Sequence, residues 1–485
     1  MTFANAINTI PDTKTANGAG AFSTTSSKAL DFFYQAPANR GNIVVNTELF
    51  TKALAENTDL AVRTLLYLRD IREGAGERET FRNLLVTLAQ QDSVLAGRVC
   101  LRVPTLGRWD DLLLFVKAPG QTFYNEDLET LVVGMIVEEL ERANKARQHS
   151  LCAKWLPRQG RIAARLRELT GVSPKEWRKL LVRLSNTVEQ QMCANDWTSI
   201  NFSHVPSQAA NRYRKAFNRH EETRYQAWVE AVKNGTSPEV KVNASAIYPY
   251  QVTGDLISTR GQMDQNQINQ WNALPDFMNG KNILPMIDIS GSMYARTKGN
   301  GPAPYTIAVS LGVYCAERQK GGFQNCFLTF TDVPKLYNLP NTSVDEKLKA
   351  VCRSEAGYNT NFYKAIQVIL KLGIRNKLPQ EEMPEILLVL SDMQFDQSPG
   401  DRYTWNETNY QALVDQYNKA GYTVPKIVFW NLNGVYGTAP VKQDQPGVAL
   451  ISGFSPAAVK DILGGEISSP YQIMVKRLST DRYNY

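Results

Sequence analysis

The feature that most constrains the fold is an apolar stretch that stops at oxygen-bearing side chains. Residues 283–289 contain too little polarity for a half-exposed strand, and such a stretch is typical of the centre of a parallel sheet covered on both faces. Asp288, Ser290 and Ser292 then alternate along the chain, so their side chains point the same way. The sequence therefore predicts a buried strand that delivers three oxygen ligands to one edge of a sheet.

Two later segments would deliver further ligands to the same edge. Residues 357–361 form a polar loop in front of an amphipathic helix, and the apolar strand at 385–390 is followed by a serine and an aspartate. The carboxyl ends of parallel strands meet at the crevice where doubly wound sheets bind ligands. Hard oxygen ligands suit magnesium or manganese better than zinc. The predicted divalent-cation site consists of Asp288, Ser290, Ser292, Thr360 and Asp392.

The three loops together resemble the metal-ion-dependent adhesion site of the von Willebrand factor A domain. The resemblance implies that Ser290, Ser292 and Thr360 bind magnesium directly. It also implies that Asp288 and Asp392 hold the waters of the ion, and that one coordination position stays open for a partner's carboxylate. A plainer interpretation takes these residues one at a time, as helix caps and turn formers. That interpretation explains each residue but not the agreement of the three loops.

Length and composition narrow the class of protein. At 485 residues the chain is too long for one ordinary core, so we expect at least two domains. Its 43% hydrophobic and 21% charged residues are typical of a soluble globular protein, and its longest apolar runs are too short to span a membrane. The six cysteines form no C-x-x-C pair, and no secretory signal is visible. We therefore expect a cytoplasmic protein with reduced cysteines and no membrane contact.

Helical periodicity dominates the first half of the chain. Residues 1–27 are rich in small polar residues and predict a flexible arm. From residue 28 to residue 265, successive helices with short connectors predict an all-α solenoid of HEAT-like pairs. From residue 271 to residue 475, strands and helices alternate, which predicts a parallel, doubly wound, Rossmann-like α/β domain. The fold class is therefore multidomain, all-α followed by α/β.

Five phrases of the helical half support a second resemblance: Tyr67 to Arg78 (YLRDIREGAGER), Gly107 to Asp111 (GRWDD), Leu151 to Arg158 (LCAKWLPR), Phe202 to Ser207 (FSHVPS) and Lys241 to Tyr250 (KVNASAIYPY). They are similar to an uncharacterised family related to the Ro ribonucleoproteins, whose TROVE module is a ring of HEAT-like helices closed by a von Willebrand A domain. The resemblance implies RNA binding. Single-stranded 3′ ends of misfolded small RNAs would enter the ring, and structured RNAs would lie on its basic outer surface.

The net charge of +7 is concentrated in one segment of the helical half. Residues 271–485 contain 21 basic and 19 acidic side chains, whereas residues 142–183 alone contain 12 basic and 2 acidic ones. Such a local excess of positive charge predicts a surface that contacts phosphate. The candidate phosphate partners are Lys145, Arg147, Lys154, Arg158, Arg161, Arg165, Arg178 and Lys179.

Residues 212–228 mix cations with aromatic rings. This composition is typical of contacts to single-stranded nucleic acid, because cations meet phosphates and rings stack on bases. An equally good interpretation is an ordinary amphipathic helix, with Tyr213, Phe217 and Trp228 in the core. The further candidate RNA contacts in this segment are Arg212, Arg214, Lys215 and Asn218.

Together these features predict a monomeric, non-enzymatic, Ro-like RNA-binding protein with a magnesium-binding docking domain. Its partners would be small structured or single-stranded RNA, with an acidic protein ligand or a nuclease at the metal site. The alternative is a metal-dependent protein-interaction adaptor whose basic segment is only a solvated face. A metal-dependent nuclease fits less well, because a single-ion site rich in Ser and Thr lacks the carboxylate cluster of two-metal nucleases. A serine nucleophile also fits less well, since no G-x-S-x-G turn surrounds Ser290.

Overall fold

The computed structural model describes residues 11–15, 18, 20–259, 261–278, 280–294, 302–331, 333–355, 362–394, 414–434, 437–459 and 468–485. Helices occupy most of the chain between residues 28 and 272, and a six-stranded sheet with flanking helices follows. This order confirms the prediction of a helical part followed by an α/β part. Within the described ranges, no helix is long and apolar enough to cross a bilayer.

The helical part is a series of short helices that often form hairpins with one-residue connectors. Two 3₁₀ turns, Trp109–Phe115 and Phe202–His204, interrupt the series. In chain order the helices are α1 (Lys28–Gln35), α2 (Ile43–Glu56), α3 (Thr58–Arg69), α4 (Arg78–Gln91), α5 (Ser93–Leu106), α6 (Glu126–Ala146), α7 (Leu151–Trp155), α8 (Arg161–Thr170), α9 (Pro174–Ser185), α10 (Val188–Cys193), α11 (Ser207–His220), α12 (Glu222–Lys233), α13 (Pro249–Thr259) and α14 (Gln265–Asn272).

Polar residues set the ends of these helices. Asp92 alone separates α4 from α5, and its carboxylate accepts a 2.9 Å hydrogen bond from the backbone N–H of Leu95. Ser173 and Glu176 form a capping box at the start of α9. The segment from 174 to 193 has a helical pattern throughout, but Asn186 adopts a left-handed φ of 35° and divides it into α9 and α10.

The sheet has the strand order β5-β4-β3-β6-β7-β8, and its neighbours are parallel except for β5, which pairs antiparallel with β4. The expectation of a purely parallel sheet is therefore wrong at this edge. A short two-stranded ladder, β1 with β2, precedes the helices. The strands are β1 (Thr13–Lys14), β2 (Gly20–Ala21), β3 (Ile283–Ile287), β4 (Cys326–Thr329), β5 (Leu336–Asn338), β6 (Ile386–Ser391), β7 (Lys426–Asn431) and β8 (Val448–Ser452).

Helices follow the strands and cover the sheet. They are α15 (Pro304–Arg318), α16 (Val344–Cys352), α17 (Phe362–Asn376) and α18 (Pro470–Leu478), with a further helical segment at 414–419. Every residue of β3 and β6 is buried, as the apolar runs predict. Gly312 lets α15 approach β3 closely, since a Cβ atom at this position would lie 2.2 Å from the Cδ1 atom of Ile287. Strand β3 is thus held by α15 on one face and by its neighbours β4 and β6 on either side.

The chain divides into two compact units that do not follow the predicted domain boundaries. Unit 1 combines the chain up to Thr64 with Ile247–Arg482, and unit 2 contains Leu65–Ala246 and Tyr483–Tyr485. The helices α1, α2 and α13 fall within the predicted helical module of residues 28–265, but they belong to unit 1. In unit 1, α1 packs on β8 and α18, while α13 packs on α15 and α16.

Residues 20–27 of the predicted flexible arm are tied to the sheet unit. Phe22 and Ala439 exchange two backbone hydrogen bonds of 3.0 and 2.9 Å. The ammonium group of Lys442 donates a 2.9 Å hydrogen bond to the carbonyl oxygen of Thr24 and lies 4.5 Å from the centroid of the Phe22 ring. This segment is therefore an integral part of unit 1.

Candidate functional site

The candidate metal site lies where the strand order of the sheet reverses. The two central strands, β3 and β6, are parallel neighbours, and Ile287 pairs with Leu390 at their carboxyl ends. The next residue, Asp288, is therefore delivered beside Ser391, and its N–H donates to the Leu390 carbonyl at 3.0 Å. Such a reversal point is the usual ligand-binding crevice of a doubly wound sheet. The sheet thus brings the first and third predicted loops together.

Hydrogen bonds fix the carboxylate of Asp288 on both sides. Asp288 is only 1% exposed, and its Oδ2 atom accepts a 2.7 Å hydrogen bond from the hydroxyl of Ser391. Its Oδ1 atom accepts a 2.9 Å hydrogen bond from the backbone N–H of Ser290. This last contact is a local turn bond of the kind that the plainer interpretation predicts. Ser391, which was not among the predicted site residues, is therefore a supporting residue of the site.

The other predicted ligands of the described part converge on this carboxylate. The hydroxyl oxygens of Ser290 and Ser292 lie 3.2 Å apart. Asp392 is 2% exposed, and its Oδ1 atom accepts a 3.1 Å hydrogen bond from the N–H of Gln394. Met393 follows in the left-handed region, with φ of 61°, which turns the chain sharply after Asp392. Thr360, the remaining predicted ligand, lies outside the described residues.

The electrostatics of the site favour a cation. Burial, together with the charge of Asp392, raises the pKa of Asp288 to about 6. Burial also raises the pKa of Asp392, although the hydrogen bond from the Gln394 N–H partly offsets this effect. In the described part of the chain, neither carboxylate forms an ion pair with a lysine or arginine. A positive charge between them would relieve their mutual repulsion.

The donor set fits a hard divalent cation. Two carboxylates and two hydroxyls offer oxygen atoms only, which is the chemistry that magnesium and manganese prefer. Among the described residues, no group of three or more His, Cys, Asp or Glu side chains could hold a metal ion.

The predicted phosphate partners of the basic segment have different environments. Lys145, Arg147, Arg161, Arg178 and Lys179 are exposed, whereas Lys154 and Arg158 are half-buried. The ammonium group of Lys154 lies 5.4 Å from the centroid of the Trp155 ring. Arg158 donates a 3.0 Å hydrogen bond to the hydroxyl of Ser185.

The assignment of Arg165 as a phosphate partner does not fit the structure. Its guanidinium donates to both carboxylate oxygens of the buried Glu129, at 3.1 and 2.8 Å, and it also pairs with Glu168. The hydrogen bond from Arg165 is the main reason that the pKa of Glu129 is lowered. Arg165 therefore joins α8 to α6 and compensates a buried charge.

The ends of α6 and α9 bring several of the exposed cations together. Arg183 near the end of α9 donates to the side-chain oxygen of Asn144 near the end of α6, and the N–H of Ser150 donates to the Leu184 carbonyl at 2.8 Å. Lys145 occupies the last turn of α6, and Arg147 follows it in the left-handed conformation. Lys145, Arg147 and Arg183 therefore lie near one another. We use the term basic surface for these three together with the other cations of the same segment, Arg158, Arg178 and Lys179.

The aromatic rings of residues 212–228 lie in the core of unit 2, as the second interpretation predicts. Phe217 is 1% exposed, and Tyr213 and Trp228 pack against the same cluster. The indole N–H of Trp228 donates a 3.0 Å hydrogen bond to the hydroxyl of Ser203. Phe217 is therefore not available to stack on bases, and Tyr213 and Trp228 each have one part of the ring buried in this cluster.

The cations of that segment are more accessible than its rings. Arg212 and Lys215 are exposed, whereas Arg214 is half-buried and donates to the carbonyl oxygen of Asn211 at 2.7 Å. Position 218 brings no positive charge, because Asn218 is an amide that accepts a hydrogen bond from Gln226. The exposed cation at this end of α11 is Arg219.

Family models of two domains of unknown function match different parts of the chain. The Domain of unknown function DUF7788 matches residues 282–481, and the Domain of unknown function DUF2828 matches residues 15–92 and 174–280. An uncharacterized protein of Acanthamoeba polyphaga mimivirus is 26% identical over 508 residues, an alignment that covers 95% of this chain and 86% of the relative. The boundary between the two family models, near residue 281, coincides with the start of β3. The predicted metal ligands therefore all lie within the match to DUF7788.

Proposed function

We propose that this chain is a Ro-related, non-enzymatic RNA-binding protein with a magnesium-dependent docking site. In this proposal HEAT-like helix pairs hold small structured or single-stranded RNA on the basic surface, and the α/β domain is of the von Willebrand A type. Asp288, Ser290, Ser292 and Asp392 would hold the magnesium ion. When bound, the ion would supply a positive, Lewis-acidic contact for a carboxylate of a protein partner.

The observation that best supports RNA binding is the set of exposed cations without acidic partners. In the described part of the chain, Lys145, Arg147 and Arg178 form no ion pair, although unit 2 contains many exposed carboxylates. A surface charge on a helix can pair with a charge of opposite sign three or four residues away, as Arg142 does with Glu139. Cations that remain unpaired keep their positive potential available for phosphate groups.

The support for the docking site is the sheet itself. The strand order, with three strands on one side of the reversal point and the edge strand antiparallel, delivers Asp288 and Asp392 to one crevice. The two buried carboxylates have no cationic partner within the described chain. A metal ion in this crevice would stabilise the unit and present an open coordination position to a partner.

The salt dependence of RNA affinity tests the RNA-binding part of the proposal. For single strands, each neutralised phosphate adds about 0.7 to the slope of log affinity against log salt. The triple variant Lys145→Gln, Arg147→Gln, Arg178→Gln should therefore lower the slope by roughly 2. It should also lower the affinity for RNAs of unrelated sequence to a similar degree. Binding of a fluorescent RNA is measured by anisotropy at four or more salt concentrations.

A matched control removes the same charge from unit 1. Lys371, Arg375 and Lys377 are exposed cations of α17 and of the turn that follows it. Their triple replacement by Gln should leave the slope unchanged. Equal slopes for wild type and the basic-surface variant would contradict RNA binding at this surface and would favour the protein-interaction adaptor.

A further inference from the structure

An exposed ring stack stands at the end of α11. The imidazole of His220, the last residue of α11, lies face to face with the indole of Trp197, with ring centroids 3.9 Å apart and planes inclined by only 3°. His220 is exposed, and Trp197 is half-buried against the core of unit 2. Because the indole covers one face of the imidazole, the accessible surface of His220 is its other face and its edge.

Hydrogen bonds hold the Trp197 side of this stack in place. The indole N–H of Trp197 donates a 3.0 Å hydrogen bond to the side-chain oxygen of Asn195. Arg224 donates to the carbonyl oxygens of Trp197 and Ile200, both at 2.7 Å, and its guanidinium lies over the ring of Phe202. These contacts join the loop before α11 to the start of α12. A rigid platform loses little conformational entropy when a ligand stacks on it.

Exposed cations occupy a face of α11 next to the face that carries His220. Arg212, Lys215 and Arg219 follow one another at spacings of three and four residues, so they occupy one face of α11. All three are exposed, and none forms an ion pair with another described residue. Arg219 directly precedes His220 and lies about 100° from it around the helix axis, so the cation face borders the stack. Unpaired cations beside an open ring face are the combination by which proteins bind single-stranded nucleic acid.

We infer that Trp197 and His220 form a nucleobase-stacking platform. In this arrangement Arg212, Lys215 and Arg219 contact successive phosphates of a single strand, and an unpaired base stacks on the free face of His220. The inference rests on the proposed RNA binding and adds to it the class of ligand at this surface, an unpaired nucleobase. A double helix keeps its bases within the stack and can use only the cations.

The test compares His220→Ala with wild type on a single-stranded RNA and on a hairpin without unpaired ends, using the full chain. Removal of a stacking ring should lower the affinity for the single strand by about 5- to 100-fold and leave the affinity for the hairpin nearly unchanged. The salt slope should not change, because no phosphate contact is lost. His220→Phe retains a flat ring and should keep most of the affinity. His204→Ala, at another exposed histidine of unit 2 that is not stacked on Trp197, serves as the matched control.

An abasic oligonucleotide separates stacking from a merely structural role of the histidine. Removal of the bases from the single strand should lower the affinity of the wild-type protein. It should cause little further loss of affinity in His220→Ala, because both changes delete the same contact. If wild type binds the single strand and His220→Ala binds it equally well, the platform is refuted while RNA binding stands. Equal losses on hairpin and single strand would also refute it. If wild type binds neither RNA at low salt, the proposed function itself fails.

Discussion

Two buried carboxylates dominate the chemistry of the crevice at the carboxyl edge of the sheet. Asp288 and Asp392 are both nearly inaccessible, and the charge of one raises the pKa of the other. Interactions between charges are strong where water is excluded, so the pair destabilises the metal-free fold when both groups are ionised. The hydroxyls of Ser290 and Ser391 relieve only part of this cost. A divalent cation would reverse the sign of the interaction.

Asp288→Ala should abolish the stabilisation of unit 1 by magnesium. A ligand at about 100 times its Kd adds about 2.7 kcal/mol to the stability of the state that binds it. For a unit of this size, that gain corresponds to a Tm increase of roughly 4–6 °C in wild type and none in the variant. Differential scanning fluorimetry with and without magnesium measures the shift.

The control for this prediction is a carboxylate at the opposite edge of the sheet. Asp444 precedes the amino end of β8, so Asp444→Ala should keep the full magnesium-dependent shift. A shift in Asp288→Ala as large as that of wild type would rule out the assigned metal site. Loss of the shift in both variants would show that the effect is not specific to Asp288.

Single residues also mark the limits of what the sequence could predict. Asp288, Ser290, Ser292 and Asp392 are found together because they follow strands whose apolar runs are unmistakable. The ion pair of Arg165 could not be predicted, since its partner Glu129 is 36 residues away on another helix. The Trp197–His220 stack could not be predicted either, because its two residues are distant in sequence and no local pattern joins them.

At the scale of elements, a buried ion network joins the helices of unit 2. Arg69 at the end of α3 is 2% exposed and donates a 2.6 Å hydrogen bond to the fully buried Asp111. Arg82 of α4 donates to the other oxygen of Asp111 at 2.7 Å. A Cβ atom at Gly107 would lie 2.9 Å from the Arg69 side chain, so the glycine leaves room for this contact. The two phrases at 67–78 and 107–111 therefore meet in one structural network.

Arg69→Ala should strongly destabilise unit 2. Removal of one partner of a buried ion pair typically costs about 3–5 kcal/mol, because the remaining charge is left buried without full compensation. The free energy of unfolding is obtained from urea denaturation followed by circular dichroism. Arg78→Ala is the control, since its side chain is 44% exposed and its pair with Glu79 lies at the surface. Similar small losses in both variants would contradict a structural role of the network.

Elements with strong periodicity were predictable, and short or interrupted ones were not. The long helix α6 and the buried strands β3 and β6 follow their apolar patterns to within a few residues. The edge strand β5 has only three residues and no buried ones, so it has no period from which it could be recognised. The break at Asn186 depends on one left-handed residue within a pattern that is otherwise helical.

At the scale of the whole molecule, the predicted domain boundary near residue 271 differs from the units of the structure. A fragment of residues 271–485 lacks α1, α2 and α13, all of which belong to unit 1. Seven residues of α1 are buried, so its loss would uncover apolar surface of β8 and α18. The predicted boundary and the compact units differ because contacts between distant parts of the chain leave no mark in local composition.

The fragment 271–485 should therefore not show a cooperative unfolding transition, whereas residues 247–485 co-expressed with residues 1–64 should show one. The second design supplies the missing helices as a separate chain, and the apolar burial that the two pieces regain offsets the entropy of their association. Near-UV circular dichroism during heating measures the transition. Cooperative unfolding of 271–485 alone, at the melting temperature of the intact chain, would show that the early helices contribute nothing to unit 1.

The interleaving of the two units sets an order of events during synthesis on the ribosome. The helix α1 is made first, but its partner β8 appears about 410 residues later, which takes roughly 20–80 s at about 5–20 residues per second. During this time Phe32 and Tyr34, which are fully buried in the finished unit, have no sheet to cover them. Unit 2 is complete in sequence except for its last three residues long before β8 exists. The nascent chain therefore carries α1 and its packing partner α2 without the sheet that completes their burial. A chaperone that binds exposed apolar segments would be needed most before residue 452 emerges.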